Sequence, residues 1–192
     1  MKLTSISAVK TRVNTKSILL VFGFALLSAV AARTKFCLPY ILIPITLQTM
    51  VAALAGMILG KKLGALSQAQ YLVMGLAGAP IFTYPPFGGP AMLLSPTFGY
   101  IPGFILGAYV AGLAWEKLGR RGMKSAIISA TLGIASIYTI GVPWFAGYLL
   151  VTTGQPASVC VTQAWLTGLA PFVGVEVFKV CTAAAIASKS RI

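Results

Sequence analysis

Between one basic cluster or Pro/Gly-rich break and the next, this chain is almost wholly apolar, and it is so six times over. The runs read as 17–32, 44–60, 63–80, 98–116, 125–151 and 163–187, each close to or above the length of a membrane crossing. About 20 apolar residues in a helix span the hydrocarbon core of a bilayer. A soluble domain of 192 residues could not cover its surface with 9 % charged side chains. The expected fold is therefore an all-α integral membrane protein of six transmembrane helices. One transmembrane domain over 1–192 accounts for the length, with residues 1–17 as a basic cytoplasmic segment.

The basic residues orient it. With the N-terminus in the cytoplasm, twelve fall inside: Lys2, Lys10, Arg12 and Lys16, Lys61 and Lys62, Lys117, Arg120, Arg121 and Lys124, Lys189 and Arg191. Arg33 and Lys35 alone fall outside, as the positive-inside rule demands, so both termini are expected to be cytoplasmic. The net charge of +13 thus belongs to inner loops and not to a nucleic-acid partner. Ala29-Val30-Ala31 at the end of the first run resembles a signal-peptide cleavage site, but the topology needs this helix, so its retention is expected.

The chain contains no histidine, no aspartate and two glutamates. Triads built on histidine are excluded and metal sites have almost no ligands, so neither catalysis nor a cofactor is expected. Gly56 to Lys62 has three residues between its glycines and no following Ser or Thr, so it is no phosphate loop; any ATP would be bound by another subunit. Cys37 and Cys160 both fall outside, which makes a disulfide conceivable, while Cys181 suits packing. Gly99, Gly103, Gly107 and Ala111 form a smooth ridge for close helix packing, and Pro143 and Pro171 are expected to interrupt the last two helices. The external segment 81–97, rich in Pro, Gly and aromatics, reads as a rigid connection; a cap over a pocket is the alternative.

Two charges break the last apolar run. Glu176 and Lys179 stand three apart and so share a helix face, with Phe172, Leu169 and Trp165 continuing the stripe. Ionisable groups at membrane depth face the bundle interior and mark a substrate path or a structural pair. Both readings are open on the residues alone. Glu116, beside Lys117 at a helix end, reads as a solvated flank residue.

Three blocks carry a family resemblance. The first runs from Phe36-Cys37-Leu38-Pro39 through Pro44-Ile45-Thr46-Leu47-Gln48-Thr49, Leu54-Ala55-Gly56 and Leu63-Gly64-Ala65-Leu66 to Ala79-Pro80-Ile81-Phe82. The second is Ser95 to Phe104, with Phe98 in place of a glycine, and the third is Pro171-Phe172 through Lys179, with Glu176 in place of an aspartate. Together they resemble BioY, the substrate-binding (S) component of energy-coupling factor (ECF) biotin transporters. The resemblance implies high-affinity biotin capture at a pocket towards the external face. It also implies an EcfT-like transmembrane coupling protein and two ATPase subunits as partners, in the inner (cytoplasmic) membrane.

Under that resemblance the ligand role of Glu176 and Lys179 comes first. Glu176 would accept from the ring N–H groups and Lys179 would donate to a carbonyl or to the tail. Gln48 and Thr46 would complete the hydrogen bonding, and Arg33 would attract the tail carboxylate. Trp165, Phe172, Tyr84, Tyr100, Trp144 and Tyr148 are wall candidates, although packing is an equal account of them and of Thr46 and Arg33. Ala25 and Ala29 resemble the small-residue surface that meets the coupling protein. An S component for another heterocyclic vitamin and a non-transporting scaffold are the alternatives.

Overall fold

A computed structural model describes residues 14–37, 39 and 41–190. Seven α-helices follow one another: α1 Thr15–Arg33, α2 Gln48–Leu59, α3 Lys61–Leu76, α4 Tyr100–Lys117, α5 Met123–Thr153, α6 Ala157–Gly168 and α7 Val173–Lys189. α6 and α7 are two pieces of one rod, joined by a short 3₁₀ turn at Ala170–Phe172, so the rods number six. Among the described residues, three stretches are long and apolar enough to cross a membrane on their own: 15–33, 123–153 and 157–189.

The expectation of six lipid-length runs is corrected in the middle of the chain. α2 has 12 residues, or about 18 Å of helix. It packs against α1, α3, α4, α5 and α7, and every residue from Val51 to Met57 is buried. A helix apolar on all sides is an interior helix, so its length answers to its neighbours and not to the bilayer. The stretch before it, read as helix from residue 44, is extended, with Phe36 and Ile45 exchanging backbone hydrogen bonds.

Backbones approach closely wherever glycines meet. The expected ridge on α4 does face a neighbour: a Cβ at Gly103 or Gly107 would lie 2.8 or 2.5 Å from Ile137 of α5. The tightest crossing is on the other side of α4, where a Cβ on Gly56 would stand 1.8 Å from the Ala108 carbonyl oxygen. Backbone cannot yield as a side-chain tip can, so Gly56→Ala is expected to cost about 1–3 kcal/mol by overpacking. The check is the thermal midpoint of detergent-solubilised protein. Gly23→Ala, where a Cβ meets nothing within 4 Å, should leave that midpoint unchanged. Equal midpoints for the two variants would refute the close crossing.

The two prolines differ. Pro143 lies inside the continuous α5 and does not break it, a correction to the expected interruption; the helix simply runs on without one amide donor. Pro171 sits in the first turn of the 3₁₀ segment, where a missing N–H removes no bond. The break there frees the Gly168 carbonyl, which accepts a 2.9 Å hydrogen bond from the Tyr100 hydroxyl on α4.

Glu116 is not a bare flank residue. It bonds Lys61 Nζ at 2.8 Å and Arg120 at 3.3 Å, clamping the start of α3 to the end of α4. The three cysteines are free thiols: Cys160 is buried, Cys37 and Cys181 are exposed, and Cys181 therefore does not pack inside.

Candidate functional site

One cavity opens among the starts of α2 and α4, the middle of α5 and the start of α7. It encloses about 540 Å³ of non-protein space, counting its mouth. Its polar wall is built from three helices. Thr49 on α2 donates to the Glu176 carboxylate (3.0 and 3.1 Å to the two oxygens), Tyr138 on α5 donates to Oε1 at 2.8 Å, and Lys179 donates to the same oxygen at 2.8 Å. Lys179 Nζ also donates to Thr49 Oγ1 at 3.1 Å. Lys179 is 1 % exposed and Glu176 7 %.

The pair is thereby neutralised and hydrogen-bonded, which is what an ion pair needs to persist away from water. It is not saturated. Lys179 has three donors and uses two; Oε2 of Glu176 receives only Thr49, which shares its single proton between the two oxygens. A donor and an acceptor thus remain side by side on the cavity wall. Removing the Tyr138 hydroxyl would leave Oε1 short of one charge-assisted bond. Tyr138→Phe is expected to lower stability by about 1.5 kcal/mol, read from denaturant unfolding in detergent; no change would mean that this contact does not exist in the membrane protein.

A second polar cluster lies nearer the mouth. Gln48 donates to Tyr71 at 2.8 Å and accepts from Thr83 at 2.7 Å and Thr46 at 3.2 Å, while Tyr71 donates to the Ile81 carbonyl at 3.0 Å. The other walls are aromatic. Tyr100 meets Tyr138 edge-on with centroids 5.8 Å apart, and Tyr138 meets Phe172 at 6.3 Å. Met92 and Thr97 close the top together with Thr83. The segment 81–97 is therefore a cap and not a plain connection: Phe82 and Met92 are fully buried, and Phe82 packs edge-on against Tyr71.

Of the residues singled out by sequence, Glu176, Lys179, Gln48, Thr46, Phe172 and Tyr100 line this cavity. Trp165, Tyr84, Tyr148, Trp144 and Arg33 are not in its lining. Trp165 is 56 % exposed, because the break at residues 169–172 ends the helical register that would have carried its stripe onward to Glu176. Tyr84 and Tyr148 pack against the core from its margin, and Trp144 donates to the Ser95 carbonyl. Arg33 donates to the Pro80 carbonyl and stands over the Phe87 ring, 5.5 Å from its centroid. Ala25 and Ala29 also differ from expectation. Ala25 is 1 % exposed and Ala29 packs beside it; the open face of α1 carries Leu19, Phe22, Leu26 and Val30 instead.

Sequence reasoning missed Thr49, Tyr138, Tyr71 and Thr83. Tyr138 had a usable signal, being a hydroxyl-bearing aromatic midway through the long apolar run 125–151. Thr49 closes the Pro44–Thr49 block itself.

Buried polar side chains from several helices, converging on one cavity in an apolar bundle, define a membrane protein that binds a small polar ligand. The chain belongs to the BioY family, whose pattern it matches over residues 6–191. It is 33 % identical to a protein of Pyrococcus horikoshii named probable biotin transporter BioY, over 91 % of this chain and 95 % of that one. It is 35 % identical to the biotin transporter BioY of Thermotoga maritima, over 78 % of this chain and 81 % of the relative. A probable biotin transporter BioY of Lysinibacillus sphaericus is 40 % identical over 68 % of this chain; the match spans 65 % of that relative, just under two thirds. The fold matches the crystal structure of the S component for biotin from an ECF-type ABC transporter, with a TM-score of 0.74 at 21 % identity, covering 95 % of this chain and 94 % of that one.

Proposed function

We propose that this protein captures biotin in the membrane as the S component of an ECF-type transporter. The observation that carries the reading is the wall formed by Thr49, Glu176, Lys179 and Tyr138 inside an otherwise apolar and aromatic cavity. Biotin's fused ring presents two urea N–H donors beside one urea carbonyl. Glu176 Oε2 accepts an N–H, and the spare Lys179 proton is donated to the carbonyl or to the tail carboxylate. Gln48 and Thr46 supply further partners near the mouth, and Phe172 with Tyr100 flanks the ring. The glutamate is one methylene longer than the aspartate usual in the resemblance, so the ring sits correspondingly further from the α7 backbone.

The chain works as a single transmembrane unit with both termini in the cytoplasm, in the inner (cytoplasmic) membrane. The twelve-to-two division of basic residues supports that orientation. It is a substrate-binding subunit and not an enzyme; an EcfT-like coupling protein and two ATPase subunits supply the energy. The open apolar face of α1 is available to such a partner in place of Ala25 and Ala29.

Labelled biotin should bind saturably to the purified chain in detergent, and vitamins of other ring classes should not displace it. Displacement by another vitamin would transfer the site to that ligand. Absence of any saturable binding by folded protein would leave only a scaffold.

A further inference from the structure

A second pocket lies at the opposite end of the bundle from the Glu176 site, among the end of α2, the α4–α5 turn and the end of α7. It holds about 940 Å³ of non-protein space, counting its mouth. Its floor is apolar, with Met57 and Trp115 both buried. Its rim is polar and cationic: Arg120 and Arg121 on one side, Ser188 and Ser190 on the other.

The charge balance at this end cannot be closed by the protein's own side chains. The sequence has two carboxylate side chains against fifteen cations. Glu176 is buried with Lys179, and Glu116 is shared by Lys61 and Arg120. Arg121 has no carboxylate side chain left to meet, and Lys117 and Lys124 flank the same turn. An anion that enters the recess therefore meets cationic charge that no side chain of the protein neutralises. Guanidinium groups match phosphate oxygens in geometry, the Ser190 hydroxyl adds a donor while that of Ser188 is given to the Ala185 carbonyl, and the apolar floor suits the glycerol and first methylenes of a lipid. A basic recess between membrane helices, polar at the rim and oily beneath, is the chemistry of an anionic phospholipid site.

We propose that this pocket holds the phosphate headgroup of an anionic phospholipid, with Arg121 as its principal counter-ion. α2 and α7 line it and also carry Thr49, Glu176 and Lys179, so the bound lipid fastens together the far ends of the two helices that build the ligand site.

The test is native mass spectrometry of the full chain, purified in detergent and offered equal amounts of phosphatidylglycerol and phosphatidylcholine with identical acyl chains. Phosphatidylglycerol should be retained preferentially, and Arg121→Gln should reduce that preference about fivefold. Arg121→Lys, which keeps the charge and loses the fork, should restore only part of it, and Lys16→Gln, which removes the same charge from the start of α1, should leave it intact. Biotin binding measured on the same samples reports separately on the Glu176 site. Equal retention of the two lipids by the unaltered protein overturns the proposal. An equal fall in Arg121→Gln and Lys16→Gln also overturns it, because charge would then act diffusely. Displacement by millimolar inorganic phosphate would make the occupant a soluble anion and the lipid assignment wrong.

Discussion

Lys179→Met should destabilise this protein by about 3–5 kcal/mol, the cost of leaving one member of a buried ion pair without the other. The ammonium is 1 % exposed and 2.8 Å from Glu176 Oε1, and among the described residues no other cation lines the cavity to replace it. Thr49 and Tyr138 would still donate to the carboxylate, which places the expected loss towards the lower end. Folded yield and the unfolding midpoint in detergent measure it. Adding Glu176→Gln to the same chain should recover much of the loss, since the stranded charge is then gone. The surviving single variant should also bind biotin more weakly; undiminished affinity would assign the lysine to structure alone.

Glu176→Gln keeps shape and volume while replacing an acceptor-only group by one that also carries two donors. Tyr138 and Lys179 both point at the Oε1 position, so the amide oxygen takes that place and the new nitrogen turns to the cavity, where it would set hydrogens against the ring N–H groups of biotin. Biotin affinity is expected to fall by about 1.5–3 kcal/mol, roughly 10- to 150-fold, the range for a hydrogen bond to a charged group. Titration of labelled biotin against the folded variant decides it. Wild-type affinity would mean that the carboxylate serves Lys179 and not the ligand. Glu176→Asp is the companion measurement, because it restores the residue usual in the resemblance and alters reach without altering charge.

The parts of this molecule legible in its sequence are those governed by local rules. Apolar runs found the helices, with ends up to six residues out where the last run was read from 163 and its helix begins at Ala157, since hydrophobic length and basic flanks act segment by segment. The pairing of Glu176 with Lys179 followed from a spacing of three on one helix. What escaped was set by contacts between distant segments. Thr49 and Tyr138 reach Glu176 across 127 and 38 residues of chain, and no periodicity within either helix announces such a meeting. Trp165 was misjudged for the converse reason: a stripe drawn through residues 165–179 assumes one helical register, and Pro171 ends it. Phe82 and Met92 made the 81–97 segment a cap by burying themselves, which composition alone does not distinguish from an exposed turn.

The interruption at Ala170–Phe172 also changes the electrical position of the residue that follows it. In an unbroken rod Glu176 would sit mid-helix, where peptide dipoles nearly cancel. Because α7 starts afresh at Val173, that carboxylate occupies an opening turn, at the partially positive end of a new helix. The break that this proline marks therefore sets a partial positive charge beside one ammonium and two neutral hydroxyls, and it helps to hold an anion in oil without adding another ionisable group.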